Sequence, residues 1–186
     1  MRLFIALNLP TSARERLTDD LAALRRTLPG VRWVHPETLH LTLIFLGELE
    51  DAGRRAAEAA LRRVAAAHAP LELRFTHLGV FPNRSRPRVI WAGVADPESV
   101  AALHRALVRE GLRPAGAAAY HPHLTLGRVP PPAAPDVRRA LPGLLERPVA
   151  LSAPIHSLEL MRSTLAPTGA RYEVLLSAPL NRGEGV

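Results

Sequence analysis

The chain has 186 residues, a length that one well-buried domain can accommodate, and it contains no cysteine, which excludes disulfides, zinc–thiolate sites, iron–sulfur clusters and cysteine nucleophiles. All 24 basic residues are arginine and the formal net charge is +7. Without lysine, a P-loop, a lysyl-adenylate intermediate and Schiff-base chemistry are excluded too.

The first half is predicted to alternate between strand and helix. A buried strand at 2–8 precedes a helix with a leucine stripe over 17–28, which a capping box at 12–15 would start. A strand at 39–46 follows, and Asp51 is predicted to cap an alanine-rich helix. The apolar start is ended by Pro10 and is too short to cross a membrane, so we expect a cytoplasmic protein.

The second half repeats this alternation. Its predicted strands are 71–80, 88–94, 123–129, 155–161 and 172–176. Its predicted helices begin at Asp96-Pro97 and at Asp136, the second after a stiff proline linker at 130–135, and a turn is predicted at 167–169. Several strand pairs are joined by short turns that only antiparallel neighbours can use. The pattern predicts an α+β fold with two lobes, each a small antiparallel sheet backed by helices, and a cleft between them.

The tetrapeptide His-Leu-Thr-Leu occurs at 40–43 and again at 123–126. On a strand, alternate side chains point to opposite faces, so His40 shares a face with Thr42 and His123 shares one with Thr125. Two such strands side by side would place two imidazoles and two hydroxyls around one cleft. Imidazole can act as base or acid near neutral pH, and a hydroxyl can hold a phosphate oxygen. Arg128, five residues after His123, is the natural cationic partner for phosphate charge.

Other interpretations compete with this one. A single copy of so short a pattern is usually structural, and only the duplication on two predicted strands favours catalysis. Metal binding would be helped by the spacing of His121 and His123, but no carboxylate follows before Asp136, so we predict no metal. The arginine excess suits a polyanionic partner as well as a simple composition bias.

The chain resembles the 2H phosphoesterases, and in particular the RNA 2′,3′-cyclic phosphodiesterases, also called 2′-5′ RNA ligases. Besides the two motifs with Arg128, the resemblance rests on the stretches 2–7, 33–39, 45–48, 81–82, 87–93 and 163–169, and on Tyr172. It therefore extends over nearly the whole chain. The resemblance implies one bilobed domain over 1–186 that opens 2′,3′-cyclic phosphates to 2′-phosphates without a metal or other cofactor. It also allows ATP-independent 2′-5′ RNA ligation in reverse.

The resemblance also implies roles for individual residues. By motif position His123 is the proton acceptor that activates water, and His40 is the proton donor to the departing 3′ oxygen. The implied phosphate and base contacts come from Thr42, Thr125, Arg128 and Phe45, of which Phe45 stacks the terminal base. The expected partner is RNA with cyclic phosphate ends, tRNA fragments among them, bound by a monomer.

Several residues carry weaker hypotheses. An arginine-bearing loop with Arg84, Arg86 and Arg88 is a candidate RNA guide, although such loops are more often simply solvated. Phe81 and Trp91 are interpreted as core. The histidines outside the motifs divide into two that could line the cleft, 35 and 121, and four without a supporting pattern, 68, 77, 104 and 156. Two other functions stay open: an RNA-end-binding protein without catalysis, and a cyclic phosphodiesterase for small nucleotides.

Overall fold

Strands and helices alternate along residues 1–116, 119–166 and 169–181, which the computed structural model describes. The strands are β1 (Arg2–Asn8), β2 (Arg32–Trp33), β3 (His40–Glu48), β4 (Leu71–Phe81), β5 (Val89–Val94), β6 (His123–Arg128), β7 (Leu151–Ile155), β8 (Ser157–Ala166) and β9 (Gly169–Pro179). The helices are α1 (Thr11–Asp20), α2 (Ala22–Thr27), α3 (Asp51–Ala66), α4 (Pro97–Arg109) and α5 (Ala134–Glu146). Within these residues no helix is both long and apolar enough to span a membrane.

The strands form an antiparallel path in the order β7-β4-β5-β6-β3-β1-β8-β9, and β2 pairs with the free part of β6. The path has two halves, β7-β4-β5-β6 and β3-β1-β8-β9. They are joined at β3 and β6 through a single paired position, Leu41 opposite Leu124. The predicted α+β fold of antiparallel strands and helices is confirmed, and the two predicted sheets are the two halves of one sheet, joined at this one position.

The two halves are related by a pseudo-twofold axis that passes between Leu41 and Leu124. These two leucines are the second residues of the two His-Leu-Thr-Leu copies, and the axis exchanges β3 with β6, β1 with β5 and β8 with β4. Because paired antiparallel strands run in opposite directions, His40 is placed beside Thr125 and Thr42 beside His123. The repeat in the sequence is therefore a repeat in space around one centre.

The two faces of the sheet are packed differently. One face carries the main core, where leucines of the central strands such as Leu41, Leu43 and Leu124 are fully buried. On the opposite face Phe4, Ala6 and Met161 form a small separate cluster. The partly buried side chains of Phe45 and Tyr172 pack against this cluster. This second face is the cleft, and its apolar cluster lies in the half that contains β3.

Local details differ from the sequence-based predictions. The predicted strand 155–161 is interrupted at His156, and β7, which ends just before this residue, was not predicted. Helix α1 begins at Thr11 after Pro10 and no side chain caps it, so the predicted capping box is wrong. The leucine stripe is buried as predicted, but the helix is interrupted at Leu21. Asp51 is the first residue of α3, not its cap. The proline-rich segment is a 3₁₀ turn, Pro131–Ala133, that continues into α5, because the fixed φ of proline suits a first helical turn as well as a linker.

The cap at Asp96 is confirmed, since its carboxylate accepts a hydrogen bond from the backbone N–H of Ser99. The predicted turn at 167–169 lies partly outside the described residues.

Candidate active site

The two motif histidines are held in the same way. Nδ1 of His40 lies 2.7 Å from the backbone oxygen of Thr38, and Nδ1 of His123 lies 2.7 Å from that of His121. A carbonyl oxygen can only accept, so in both rings Nδ1 carries the hydrogen and donates it. Each ring is thereby fixed in one tautomer whose Nε2 is the nitrogen left to exchange a proton. The structure gives this arrangement twice, on two neighbouring strands.

Aromatic rings surround both imidazoles. The centre of the His40 ring lies 5.0 Å from the ring centres of Phe4 and Tyr172, and the centre of the His123 ring lies 5.0 Å from that of Phe81. Burial lowers the pKa of His40, and its hydrogen bond to Thr38 opposes that shift only in part. Burial also lowers the pKa of His123, again against the effect of its backbone hydrogen bond, and the neighbouring imidazole of residue 121 lowers it further. Both rings therefore favour the neutral form.

A β-bulge in each motif strand brings a further residue to the cleft face. On a regular strand, residues five apart point to opposite faces. On β3 the pairing with β1 skips Leu43, so Phe45 faces Phe4. On β6 the pairing with β5 skips Leu126, so Arg128 lies opposite Val89. The bulges thus return Phe45 and Arg128 to the face of the histidines and threonines.

The six residues predicted for the site are therefore brought together on one face of the sheet: His40, Thr42, Phe45, His123, Thr125 and Arg128. The exposure of these side chains agrees with this orientation, because each of the six is partly buried or exposed whereas the residues between them are buried. Phe45 and Arg128 occupy equivalent positions on the two sides of the pseudo-twofold axis. One half of the cleft thus offers an aromatic ring where the other offers a cation.

Further arginines lie around Arg128. Arg32 on β2 pairs with Arg128, and the backbone oxygen of Arg88 accepts a hydrogen bond from Val129 at 2.8 Å. The loop between β4 and β5, which carries the exposed Arg84 and Arg86, begins and ends at this edge of the sheet. Within the described residues none of these arginines is within 4.0 Å of a carboxylate oxygen. Their charge is available to a polyanion.

The two motif strands differ in which groups donate hydrogen bonds to the backbone oxygens along their unpaired edges. On β6 the backbone oxygen of Leu126 accepts a hydrogen bond from the backbone of Val34, beside β2. On β3 the equivalent oxygen, that of Leu43, accepts from Nδ1 of His104 at 2.8 Å, and the hydroxyl of Tyr120 donates to the Thr42 oxygen at 3.1 Å. The rings of His104 and Tyr120 stack 4.1 Å apart. Two side chains thus hold the edge of β3 where a strand holds that of β6.

This arrangement predicts a stability cost for Tyr120→Phe. The ring stays but the hydroxyl is lost, and the oxygen of Thr42 loses its donor in a partly buried place. Burial raises the pKa of the Tyr120 hydroxyl, so it is protonated and donates throughout the physiological pH range. We expect the free energy of unfolding in urea to fall by about 1–2 kcal/mol. An unchanged urea midpoint would show that the hydroxyl does not stabilise the edge of β3.

Sequence reasoning assigned no particular place to His77 and His104, whereas its interpretation of Trp91 as core is confirmed. The ring of His77 lies over Gly93, the partner of His123, where an added Cβ would collide with the imidazole. Trp91 is 8% exposed, as the core interpretation requires, but it also lies 6.2 Å from the His123 ring. No sequence pattern marks His77, because its place depends on the glycine of a neighbouring strand.

The arrangement can accept a proton at one imidazole and donate one at the other across a single anionic group. Among the described residues no three histidine, aspartate or glutamate side chains lie close enough to hold a metal ion. The groups that face the cleft are two imidazoles whose Nδ1–H is bound to a carbonyl, two hydroxyls and a cation. This set suits proton transfer at a phosphate ester.

Comparison with known proteins identifies relatives over most of the chain. The family model of the 2′-5′ RNA ligase superfamily matches residues 9–166. The RNA 2′,3′-cyclic phosphodiesterase of Methanothermobacter thermautotrophicus is 35% identical over 176 residues, which are 92% of this chain and 95% of that protein. The RNA 2′,3′-cyclic phosphodiesterase of Thermus thermophilus is 36% identical over 193 aligned positions, covering 99% of this chain and 92% of its own.

Solved structures agree over the full length. A crystal structure of a Thermus thermophilus protein superposes with a TM-score of 0.82 at 31% identity and covers 100% of both chains. Escherichia coli LigT complexed with phosphate superposes with a TM-score of 0.72 at 28% identity, covering 97% of this chain and 98% of that one.

Proposed function

The chain belongs to the 2′-5′ RNA ligase superfamily, and from this membership we propose that it is an RNA 2′,3′-cyclic phosphodiesterase that uses two histidines and no metal. The observation that carries the proposal is the duplicated imidazole. In both motifs Nδ1–H is bound to the carbonyl two residues earlier, and this leaves Nε2 of His40 and His123 to face one cleft. A protein that merely bound RNA ends would not require this tautomer at both positions.

The proposed reaction is an in-line displacement at phosphorus. His123, neutral, takes a proton from water through Nε2 while the water oxygen bonds to phosphorus. The bond from phosphorus to the 3′ oxygen breaks, and His40, protonated, gives its Nε2 proton to that oxygen. The products are a 2′-phosphomonoester and a free 3′ hydroxyl. Solvent then returns a proton to His40 and removes one from His123.

The other cleft residues are proposed to bind the substrate. The hydroxyls of Thr42 and Thr125 donate hydrogen bonds to the non-bridging phosphate oxygens, and Arg128 offsets the negative charge of these oxygens. Phe45 stacks on the terminal base, and the guanidinium of Arg2, 4.8 Å from the centre of the Phe45 ring, adds a cation beside it.

The partner proposed here is RNA, acted on by a single bilobed domain. With a 5′ hydroxyl in place of water, the same proton transfers would join two RNA ends through a 2′-5′ bond without ATP. The continuous buried core that runs from Leu3 to Leu180 supports the single domain. The arginines around Arg128, which have no carboxylate within 4.0 Å among the described residues, support RNA as the ligand, since guanidinium charge is the usual partner of the phosphate backbone.

The pH dependence tests the proposed roles. The rate rises with pH as His123 loses its proton and falls as His40 loses its own. Because burial lowers the pKa of both groups, the bell of kcat/KM, which reports the free enzyme, should be centred on the acid side of the ordinary histidine pKa of about 6.5. A bound phosphate anion favours imidazolium, so the bell-shaped pH profile of kcat should be centred at a higher pH than that of kcat/KM.

We expect these profiles to be the same in EDTA, measured on oligonucleotides and mononucleotides that end in a 2′,3′-cyclic phosphate. Loss of activity in EDTA with recovery in zinc or manganese would overturn the metal-independent mechanism. Tight binding of these RNA ends with no turnover at any pH would instead support a binding protein. Turnover of mononucleotides alone would support a small-nucleotide phosphodiesterase.

A further inference from the structure

A cavity of about 220 Å³ lies beside His40. Its lining includes Thr38, whose backbone oxygen holds the His40 ring, and Tyr172, whose ring lies 5.0 Å from that imidazole. It also includes residues of β1, β8 and β9, which follow β3 in the sheet on the side away from β6. The cavity is therefore outside the histidine pair, on the flank of His40 that faces away from His123.

One wall of the cavity carries a fixed positive charge. The guanidinium of Arg14 donates to the backbone oxygen of Glu37 at 2.8 Å and to the hydroxyl of Thr11 at 3.1 Å. Within the described residues no carboxylate oxygen lies within 4.0 Å of this guanidinium. Glu37 also lines the cavity, but its carboxylate is 85% exposed and lies 3.8 Å from Nδ1 of His35. Arg14 is thus oriented by neutral oxygens and keeps its charge for an anion.

The opposite wall is apolar and partly open to solvent. Met161, Tyr172 and Val174 line it, and Val174 is 47% exposed, which is unusual for a large aliphatic side chain on a strand. The amide of Asn8 also lines the cavity and can donate and accept hydrogen bonds. An aromatic and aliphatic wall with one amide and one guanidinium suits the flat base of a nucleotide together with its phosphate.

The reaction geometry directs the RNA chain toward this cavity. In an in-line displacement the departing oxygen lies opposite the attacking water, so the ribose that carries the departing 3′ oxygen is on the His40 side. The same ribose continues through its 5′ oxygen to the preceding nucleotide. The volume is below the roughly 300–1,000 Å³ of sites that enclose a whole small-molecule ligand, and it fits one base or one ribose.

We propose that this cavity binds the nucleotide immediately upstream of the cyclic phosphate end. Arg14 binds the phosphodiester between that nucleotide and the terminal one, and the wall of Met161, Tyr172 and Val174 contacts the upstream base. The inference rests on the proposed function, because the direction of the RNA follows from His40 as the proton donor. It narrows the substrate class to RNA of two or more nucleotides, in preference to cyclic mononucleotides.

The test compares a 2′,3′-cyclic mononucleotide with a dinucleotide that ends in the same cyclic phosphate. The wild-type protein should show kcat/KM about tenfold or more higher for the dinucleotide, the gain expected from one charge-assisted hydrogen bond and base contact. Val174→Glu, which places a carboxylate at an exposed position in the cavity, should reduce kcat/KM for the dinucleotide about tenfold. Val174→Gln has the same size without the charge and should lose less than Val174→Glu, because it disturbs the base contact without repelling the phosphate.

A second variant, Arg14→Gln, should lower the dinucleotide preference and also weaken its dependence on salt, because one phosphate contact is removed. Equal kcat/KM for the two substrates in the wild type would overturn the inference and leave the proposed function standing. So would a Val174→Glu protein that loses both activities in the same proportion. Hydrolysis of neither substrate by the wild type would overturn the proposed function itself, and with it this inference.

Discussion

Replacing either motif histidine should reduce turnover of a cyclic phosphate by at least about a hundredfold, because proton transfer by one positioned group contributes about 10²–10⁴ in rate. The most informative changes are His40→Asn and His123→Asn. The asparagine amide can still donate to the carbonyl that now holds Nδ1, 2.7 Å away in both motifs, but it offers no Nε2. Loss of turnover in folded asparagine variants would show that the imidazole is needed for proton transfer and not only for the structure.

The double variant distinguishes joint from independent action. If the two imidazoles work in one transition state, the double variant should lose much less than the product of the two single losses. Strictly multiplicative losses would contradict a shared step. His156→Ala is a suitable control, because this exposed histidine joins β7 to β8 and is outside the cleft. RNA binding should persist in all variants, measured by titration of an oligonucleotide with a 2′-phosphate end.

The product should be almost entirely the 2′-phosphomonoester. In the proposed mechanism, base and acid act from opposite sides of the phosphate, and one docking of the ribose leaves only one oxygen beside the acid. The pairing of Leu41 with Leu124 places His40 and His123 on neighbouring strands, as this mechanism requires. The two halves are not interchangeable, because Phe45 on one side corresponds to Arg128 on the other. A base that stacks on Phe45 therefore docks in a single sense.

Phosphorus NMR or chromatography against both isomeric standards would measure this product. A predominant 3′-phosphate would reverse the assignment of His40 and His123 and leave two-histidine catalysis intact. Phe45→Ala provides a second measurement. If stacking on Phe45 selects the docking sense, this variant should release a mixture of isomers. If the isomer stays pure while KM rises, the ring supplies affinity and other contacts set the orientation.

Most of the candidate site was predictable from the sequence because its signals are local. The strand alternation and the repeated tetrapeptide place His40 and Thr42 on one face without further information. The elements of the second half, from the strand at Leu71 to the cap at Asp96, were predicted nearly to the residue, since proline, glycine and aspartate mark their ends. Starts and interruptions of helices were less predictable, because tertiary packing decides whether the leucine stripe continues through Leu21.

The remaining features depend on pairing between distant strands. The bulges that turn Phe45 and Arg128 toward the cleft exist only as mismatches with β1 and β5, and the sequence of one strand does not contain them. Likewise His104 and Tyr120 are unremarkable until the free edge of β3 is known. Long-range register is what a single sequence leaves open, and it is what completes the candidate site.

The order of the strands has a consequence for synthesis on the ribosome. The half formed by β4, β5, β6 and β7 comes from one continuous stretch, residues 71–155, and can pair as soon as it emerges. The other half needs both ends of the chain, since Leu3 on β1 pairs with Arg162 on β8. Until that late strand arrives, β1 has an unpaired edge next to Phe4 and Ala6. The nascent protein therefore carries a strand with an unpaired edge until β8 has been synthesised, and this half of the sheet forms after the other.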